Sequence, residues 1–323
     1  MEETNTTDLS LNNMTEGDYA GSATAEEQCP PYNRLQPIEW IFIAVSLCGL
    51  VGNMVVIWFL GFQMKRNPFT VYVLNLAIAD FVQVFCLIVI LISRAVPVIT
   101  CTFSFDFLLT DVIVRQVFVF WYFASMYLLS AMSLERCLCA LFPIWYRCHR
   151  PKRLSGIVCG VIWALVVLFC CLFYICRHFP WGRTCVKISQ AVSIFKFIIF
   201  SLFPLLSNFA LFIKLRCGSQ RRHPGRLYVA VLLSVVFLFI FGFPLTVELF
   251  LDSIFPSYTL HLFYLLASLN STINPLIYFL VGSCRQCRFQ GSLMVALRRV
   301  FEDKTTSEER RNVSGEPMGQ TSL

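Results

Sequence analysis

The stretch Ser133–Ser155, SLERCLCALFPIWYRCHRPKRLS, joins the end of a long apolar run to a dense basic cluster. Glu135 and Arg136 lie where the apolar sequence gives way to polar residues. At the cytoplasmic end of a membrane helix, such an acid and arginine can pair, or the guanidinium can bind a partner that enters from the cytoplasm. The alternative is that Arg136 only anchors the helix at the lipid headgroups. The number and order of the other apolar runs decide between these interpretations.

The composition of the chain indicates a membrane protein. Of its 323 residues, 57% are hydrophobic and only 14% are charged, whereas a soluble domain carries about a quarter charged residues. Seven stretches have the roughly 17–25 apolar residues that a spanning helix needs. They are residues 37–62, 69–95, 112–139, 155–177, 190–216, 227–251 and 260–282. We therefore predict an all-α membrane protein, with a seven-transmembrane helix bundle over residues 37–283.

The distribution of Lys and Arg predicts the orientation. If the N-terminus is outside, most of the 26 basic residues fall in cytoplasmic segments, as the positive-inside rule requires. We expect a plasma-membrane protein with an extracellular N-terminus and a cytoplasmic C-terminus. The first ~35 residues hold no signal-peptide core, so the first span is expected to direct insertion. The net charge of +7 is explained by this asymmetry, and nucleic-acid binding is not expected.

Residues 1–36 are polar, acidic and without periodicity, which predicts a disordered extracellular tail. Asn5 and Asn13 each begin an Asn-x-Thr glycosylation acceptor on the predicted outer side.

After the last predicted span, the apolar residues no longer form a continuous run and instead recur at the spacing of one helix face. Residues 284–301 are predicted to form an amphipathic eighth helix on the inner membrane surface. Its apolar face comprises Phe289, Leu293, Leu297, Val300 and Phe301. Cys284 and Cys287 at its start are palmitoylation candidates, and residues 302–323 are predicted to form a disordered cytoplasmic tail.

Polar side chains recur inside the predicted spans, where they are costly and indicate function by default. Asp80 in span two is the clearest, because a carboxylate at this depth needs partners. The others are Asn53, Ser125, Asn270 and Asn274. One carboxylate with hydroxyl and amide oxygens would suit a sodium ion or a proton. The alternative is a structural polar network joining the spans, and the two interpretations are compatible.

Four of the 15 cysteines lie on the predicted outer side, and they allow three pairings. They are Cys29, Cys101, Cys176 and Cys185. We favour Cys176–Cys185, because Cys176 ends span four and Cys185 lies in the loop that follows.

Several marks occur in an order that resembles a class A (rhodopsin-like) G-protein-coupled receptor over residues 37–300. They are Gly52-Asn53, Leu76-Ala77 with Asp80, Glu135-Arg136, Trp163, Pro204, Pro244 and Asn274-Pro275-x-x-Tyr278. Residues 65–72 (KRNPFTVY), 142–152 (FPIWYRCHRPK) and 278–283 (YFLVGS) are similar to the Mas-related receptor family.

This resemblance implies a receptor for peptides, small amines or amino-acid-like ligands, acting in sensory, itch or pain signalling. It implies coupling to heterotrimeric G proteins of the Gq and Gi classes, with arrestin and receptor kinases as further candidate partners. Arg136 would contact the C-terminal helix of the G protein, and the coupling surface would also include Glu135, Pro143, Ile144 and Tyr278. Asp80, Ser125, Asn270 and Asn274 match the sodium pocket of class A receptors, and no other cofactor is expected.

The chain departs from the class A pattern at three places. Asp111 replaces the usual cysteine of span three, a loss that the Mas-related family shares, and that family's span-four disulfide supports Cys176–Cys185. Gly242 replaces the usual tryptophan before Pro244, which favours a shallow ligand pocket. Phe118 stands where amine receptors carry an aspartate.

The predicted ligand pocket contains charges of both signs. Arg115, Arg183 and Lys187 favour neutral or acidic ligands. Membrane lipid is expected to surround the helix bundle. Asp111 and Glu248 keep a cationic ligand as the alternative.

Other classes of protein fit less well. No internal repeat suggests a transporter, and no nucleophile–base pair or metal motif suggests an enzyme. A receptor-like decoy that binds ligand without activating a G protein is the main alternative. It is favoured by Gly242 and by residues 221–224, which lack an acid at the inner end of span six.

Overall fold

The computed structural model describes residues 37–64, 67–100, 105–151, 153–178, 226–251, 257–285, 288–289 and 293–301, with short separate pieces between 187 and 213. Most predicted elements fall within these ranges. Residues 1–36 and 302–323, with Asn5 and Asn13, lie outside them. So do Arg183, Cys185 and Cys287, and only the backbone is described at Cys176 and Cys284. The glycosylation, disulfide and palmitoylation sites therefore stay predictions.

The described chain is mainly helical, as expected where the bilayer offers no partner for backbone groups. The helices are α1 (Pro37–Trp58), α2 (Pro68–Thr100), α3 (Phe105–Leu141), α4 (Pro143–Cys148), α5 (Leu154–His178), α6 (Arg226–Phe237), α7 (Phe243–Leu251), α8 (Ser257–Ser283) and α9 (Leu293–Phe301). Two π-helical turns, π1 (Phe59–Gln63) and π2 (Leu238–Gly242), extend α1 and join α6 to α7. Pro68 and Pro143 open their helices, where the missing N–H costs nothing.

Six membrane-spanning candidates occur in the described ranges. They are Glu39–Gln63, Pro68–Ala95, Leu109–Leu141, Leu154–Leu172, Leu227–Leu249 and Leu260–Ser283. Each coincides with a predicted span to within a few residues. The remaining prediction, 190–216, falls where only separate pieces are described.

Helix α3 lies at the centre of the described bundle and packs against α2, α4, α5 and α6. Helix α8 packs against α1, α2, α6 and α7. The side chains of Leu87, Phe118 and Leu128 are fully buried between these helices. Polar groups carried by α2, α3 and α8 therefore meet inside the bundle.

The amphipathic helix begins later than predicted. Helix α9 starts at Leu293, not at Cys284, because β1 (Cys284–Arg285) and β2 (Arg288–Phe289) pair antiparallel before it. That pairing satisfies backbone groups that a helix would otherwise use. It places Phe289 on a strand instead of on the helix face. From Ala296 to Phe301 the apolar residues of α9 are buried, with Arg298 and Arg299 in its last turn.

A close approach joins α9 to the end of α8. A Cβ atom at Gly282 would overlap the backbone carbonyl of Ala296. The ring of Tyr278 also packs edge-on against Phe301, with centroids 5.5 Å apart. The absence of a side chain at Gly282 therefore determines how closely α9 docks.

Candidate functional site

The C-terminal end of α3 carries a buried charged cluster. Glu135 and Arg136 are 6% and 4% exposed. One carboxylate oxygen of Glu135 accepts hydrogen bonds from the Tyr146 hydroxyl at 2.5 Å and from Arg150 Nη2 at 2.8 Å. The same oxygen lies 4.0 Å from Arg136 Nη2. The hydrogen-bond partners of Glu135 are therefore Tyr146 and Arg150, whereas Arg136, which follows it in the chain, is beyond hydrogen-bond distance.

Arg136 lies between aromatic rings instead. Its guanidinium carbon is 4.5 Å from the ring centroid of Phe69 on α2 and 5.9 Å from that of Tyr228 on α6. Both distances are within the range of cation–π attraction. The hydroxyl of Tyr228 donates to Cys139 Sγ at 3.4 Å, which ties α6 back to α3. Arg136 is thus held by aromatic contacts and by one long ion pair, the 4.0 Å contact with Glu135.

Helix α4 positions the partners of Glu135. Pro143 starts this short helix and Tyr146 lies on the side that faces α3. Burial raises the pKa of the Tyr146 hydroxyl, and the hydrogen bond to Glu135 raises it further, so the group stays a donor. Arg150 also donates to Ser155 Oγ at 2.5 Å at the start of α5. Sequence reasoning missed Tyr146, Arg150 and Ser155, although all three lie in the stretch first quoted.

The other predicted coupling residues divide into two groups. Pro143 and Ile144 are exposed, and Ile144 shows 78% of its surface. Tyr278 is buried against Phe301 between α8 and α9. Ile144 is thus available to a partner in this structure, whereas Tyr278 becomes available only if α8 or α9 moves.

A second polar cluster lies in the middle of the bundle. Asp80 is fully buried and accepts hydrogen bonds from Ser125 Oγ at 2.6 Å and Asn274 Nδ2 at 2.8 Å. Asn53 donates to the carbonyls of Gly49 at 3.0 Å and Ser271 at 3.2 Å. The structure therefore joins Asp80, Ser125 and Asn274 directly. Asn53 instead bonds the backbones of α1 and α8.

Buried oxygen atoms of α8, together with the Asp80 carboxylate, are of the kind that binds a hard cation. Asn270 Oδ1, Ser271 Oγ and Asn274 Oδ1 are buried with no hydrogen-bond partner among the described residues. Carboxylate, amide and hydroxyl oxygens are the ligands that such cations take. Sequence reasoning missed Ser271, which lies on the same helix face as Asn274 one turn away. No cluster of three or more His, Cys, Asp or Glu occurs in the described ranges, so a transition-metal site has no support there.

The N-terminal part of α3 carries a bidentate ion pair. Arg115 binds Asp111 with two hydrogen bonds, at 2.6 Å and 3.0 Å. The guanidinium carbon lies 5.4 Å from the Tyr264 ring centroid, and Phe118 packs on the same ring at 4.9 Å. Because Asp111 compensates the charge of Arg115, this part of the predicted ligand pocket is less positive than the sequence suggested. Lys187 is exposed.

Sequence reasoning missed a cluster that joins α1, α2 and α8. The Glu39 carboxylate lies 2.8 Å from His261 Nε2 and 3.9 Å from Arg94 Nη2. Glu39 is 5% exposed. No local spacing signals this cluster, because its members are far apart in the chain and only the bundle brings them together.

Gly242 contacts α3 through its backbone. The Tyr122 hydroxyl donates to the Gly242 carbonyl at 2.7 Å and lies 2.5 Å from Thr246 Oγ1. Gly242 and Phe118 are both buried in the bundle, and Glu248 is 3% exposed. Of the predicted pocket residues, these three therefore lie deep in this structure, and a shallow ligand would meet Asp111, Arg115 or Lys187 first. Tyr122 was not predicted.

Comparison with known proteins identifies the family. The family model described as "7 transmembrane receptor (rhodopsin family)" matches residues 52–278. The chain belongs to the rhodopsin family of seven-transmembrane receptors. The predicted resemblance is therefore confirmed, and so is the seven-helix fold class. This receptor is a multi-pass membrane protein and not an enzyme. As in the family generally, its partners are a ligand and a G protein.

Mas and Mas-related receptors are among the proteins that the chain is similar to. The chain is 34% identical to "Proto-oncogene Mas" of Homo sapiens over 309 residues, covering 93% of this chain and 92% of that protein. It is 38% identical to "Mas-related G-protein coupled receptor member D" of Rattus norvegicus over 295 residues, covering 85% and 91%. It is 37% identical to "Mas-related G-protein coupled receptor member X1" of Mus musculus, covering 88% and 89%. The receptor is thus of the Mas-related type.

Proposed function

We propose that this receptor activates heterotrimeric G proteins of the Gq class, the Gi class or both, with Arg136 as the central contact. The proposal rests on the contacts that the Arg136 guanidinium makes in this structure. Glu135 is bonded to Arg150 and Tyr146, and the guanidinium rests on aromatic rings. Aromatic contacts are weak compared with a buried ion pair, so a partner that offers backbone carbonyls can displace them.

The coupling surface extends from Arg136 to α4. The exposed Ile144 provides an apolar contact beside the buried charge cluster. Tyr278 would join the surface once α8 and α9 separate. This arrangement requires the inner ends of α3 and α8 to face the cytoplasm, which the distribution of Lys and Arg supports. Arrestin and receptor kinases would approach the same face.

The proposed ligand is an extracellular peptide or small molecule that binds in a shallow pocket at the outer ends of α3 and α8. Asp111 and Arg115 form a bidentate pair there. A zwitterionic or peptidic ligand can exchange with such a pair, because it supplies both charges. Sensory, itch or pain signalling is the physiological role that the resemblance to the Mas-related family implies. Glycans at Asn5 or Asn13, a Cys176–Cys185 disulfide and lipid on Cys284 or Cys287 complete the proposal.

The proposal includes an allosteric sodium ion beside Asp80. Ser125, Asn270 and Asn274 would supply further oxygens, since two of the amide oxygens there lack partners among the described residues. These residues lie on α2, α3 and α8. A bound sodium ion would therefore stabilise the conformation in which these three helices are packed close together. Asn53 would act at a distance, by fixing the backbone of α8.

The test compares the wild type with Arg136→Ala at equal surface expression. Calcium release and cAMP would be measured with matched panels of basic peptides, neutral or acidic peptides, and small amino acids. We expect a wild-type response to the neutral, acidic or zwitterionic panels that Arg136→Ala abolishes. Arg153→Ala, which removes an exposed charge nearby, is the control and should respond like the wild type.

The second candidate function is a receptor-like decoy. It is favoured by Gly242, which cannot provide the tryptophan side chain of the usual class A activation switch. Saturable ligand binding without calcium, cAMP or G-protein activation would support this candidate and contradict the first.

A further inference from the structure

A cavity of about 450 Å³ opens on the bilayer-facing side of the receptor, between α1, α8 and α9. Its walls include Cys48 and Val51 of α1, Phe279 of α8, and Leu293 and Leu297 of α9. The side chains are almost wholly apolar. None of these residues belongs to the ligand pocket, the Asp80 cluster or the coupling surface.

The cavity lies beside a close contact between two helices. A Cβ atom at Gly52 would lie 3.1 Å from Pro275 Cβ, so α1 and α8 touch at this level. Val51, beside this contact, is 66% exposed. Helix α9 closes the inner end of the space. The groove is therefore a shaped cleft and not a flat lipid-facing surface.

We propose that this groove binds one acyl chain of an anionic phospholipid from the inner leaflet. Two of its three walls, α1 and α8, are membrane-spanning candidates, so hydrocarbon chains surround the groove on its open side. The amphipathic α9 sets its mouth at the inner surface, and Arg298 and Arg299 make the end of that helix positive. That charge favours an anionic headgroup above the buried chain. The proposal rests on the orientation given under the proposed function.

Such a lipid would touch the part of α8 that the coupling surface needs to move. Pro275 lines the groove, and Tyr278 on the same segment packs against Phe301 of α9. A chain in the groove fills the angle between α1, α8 and α9. Its loss would leave α9 held by fewer contacts, so binding stabilises the docked position of this helix.

The experiment uses the full receptor in phosphatidylcholine vesicles containing phosphatidylserine with a diazirine in its acyl chain. Crosslinked peptides are identified by mass spectrometry in the wild type, Val51→Trp and Cys48→Trp. Each tryptophan occupies the groove from a bilayer-facing position, so folding is preserved. Val161→Trp, at an exposed position of α5 outside the groove, is the matched control.

We expect groove peptides to dominate the wild-type and control labelling. The two groove variants should lose most of the groove labelling, because the indole fills the space that the acyl chain would occupy and removes its packing contacts with the walls. Even labelling over all exposed helices, or labelling unchanged in both groove variants, overturns the proposal. Equal groove labelling by a diazirine phosphatidylcholine overturns the choice of an anionic lipid, and a receptor dimer crosslinked through α1 would show that a second copy occupies the groove. Because labelling does not depend on signalling, these results are separate from a failure of G-protein coupling.

Discussion

Arg150→Ala should weaken G-protein binding, because Glu135 would then form a close ion pair with Arg136. In the wild type, Arg150 Nη2 lies 2.8 Å from the Glu135 carboxylate, whereas Arg136 Nη2 lies 4.0 Å from it. Both side chains of the Arg150–Glu135 pair are more than nine-tenths buried. Without Arg150, the buried carboxylate needs another cation, and Arg136 can reach it with a small rotation.

The size of the effect follows from the contacts that remain. Removing one partner of a buried ion pair costs about 3–5 kcal/mol when nothing replaces it. Here Tyr146 keeps its hydrogen bond to Glu135, and Arg136 replaces Arg150 as the cation beside the carboxylate. The new Glu135–Arg136 ion pair therefore offsets most of that cost. A partner must then pull Arg136 away from the carboxylate, at a cost of roughly 1–2 kcal/mol, or about a 5- to 30-fold loss of affinity.

The assay is binding of a peptide corresponding to the C-terminal helix of the G-protein α subunit to purified receptor, which requires no known ligand. Arg150→Ala should bind 5- to 30-fold more weakly, by the same coupling range. Arg150→Ala combined with Glu135→Gln should recover most of the loss, since the neutral amide no longer attracts Arg136. Arg153→Ala is the control.

Two results would refute this reasoning. One is wild-type affinity in Arg150→Ala. The other is failure of the double variant to recover although its thermal stability equals that of the wild type. Either would mean that Glu135 does not compete with the G protein for Arg136.

Three further outcomes test other parts of the structure. Gly282→Val should undock α9, since the new side chain overlaps its backbone, and hydrogen exchange of residues 293–301 should rise, while Gly156→Val, in open space, leaves it unchanged. Asp80→Asn should abolish any stabilisation of the receptor by sodium relative to potassium, measured as a change in Tm; persistence of a sodium-specific shift would place the ion elsewhere. Tyr122→Phe leaves the buried Gly242 carbonyl without its donor and should lower stability by about 1–3 kcal/mol, and an unchanged denaturation midpoint would show that the bond contributes nothing.

Local sequence was sufficient for the spans and for the residues that face inward. The apolar runs predicted the six described spans because each backbone in a bilayer must satisfy its own hydrogen bonds. Asp80 was singled out as a costly carboxylate within one of these runs, and the structure shows how it is satisfied by Ser125 and Asn274. The start of α9 was missed, since the apolar period continues through Phe289 although a strand pair interrupts the helix.

The sequence by itself determined that this chain is a helical membrane receptor with buried polar residues, because hydropathy, charge and motif order are local properties. Only the tertiary structure decided which groups meet. Glu135 stands next to Arg136 in the chain, yet adjacent residues on a helix point in different directions, and the carboxylate is bonded instead by Tyr146 and Arg150. The Glu39–His261 contact and the groove between α1, α8 and α9 arise in the same way, since they depend on how helices distant in sequence pack side by side.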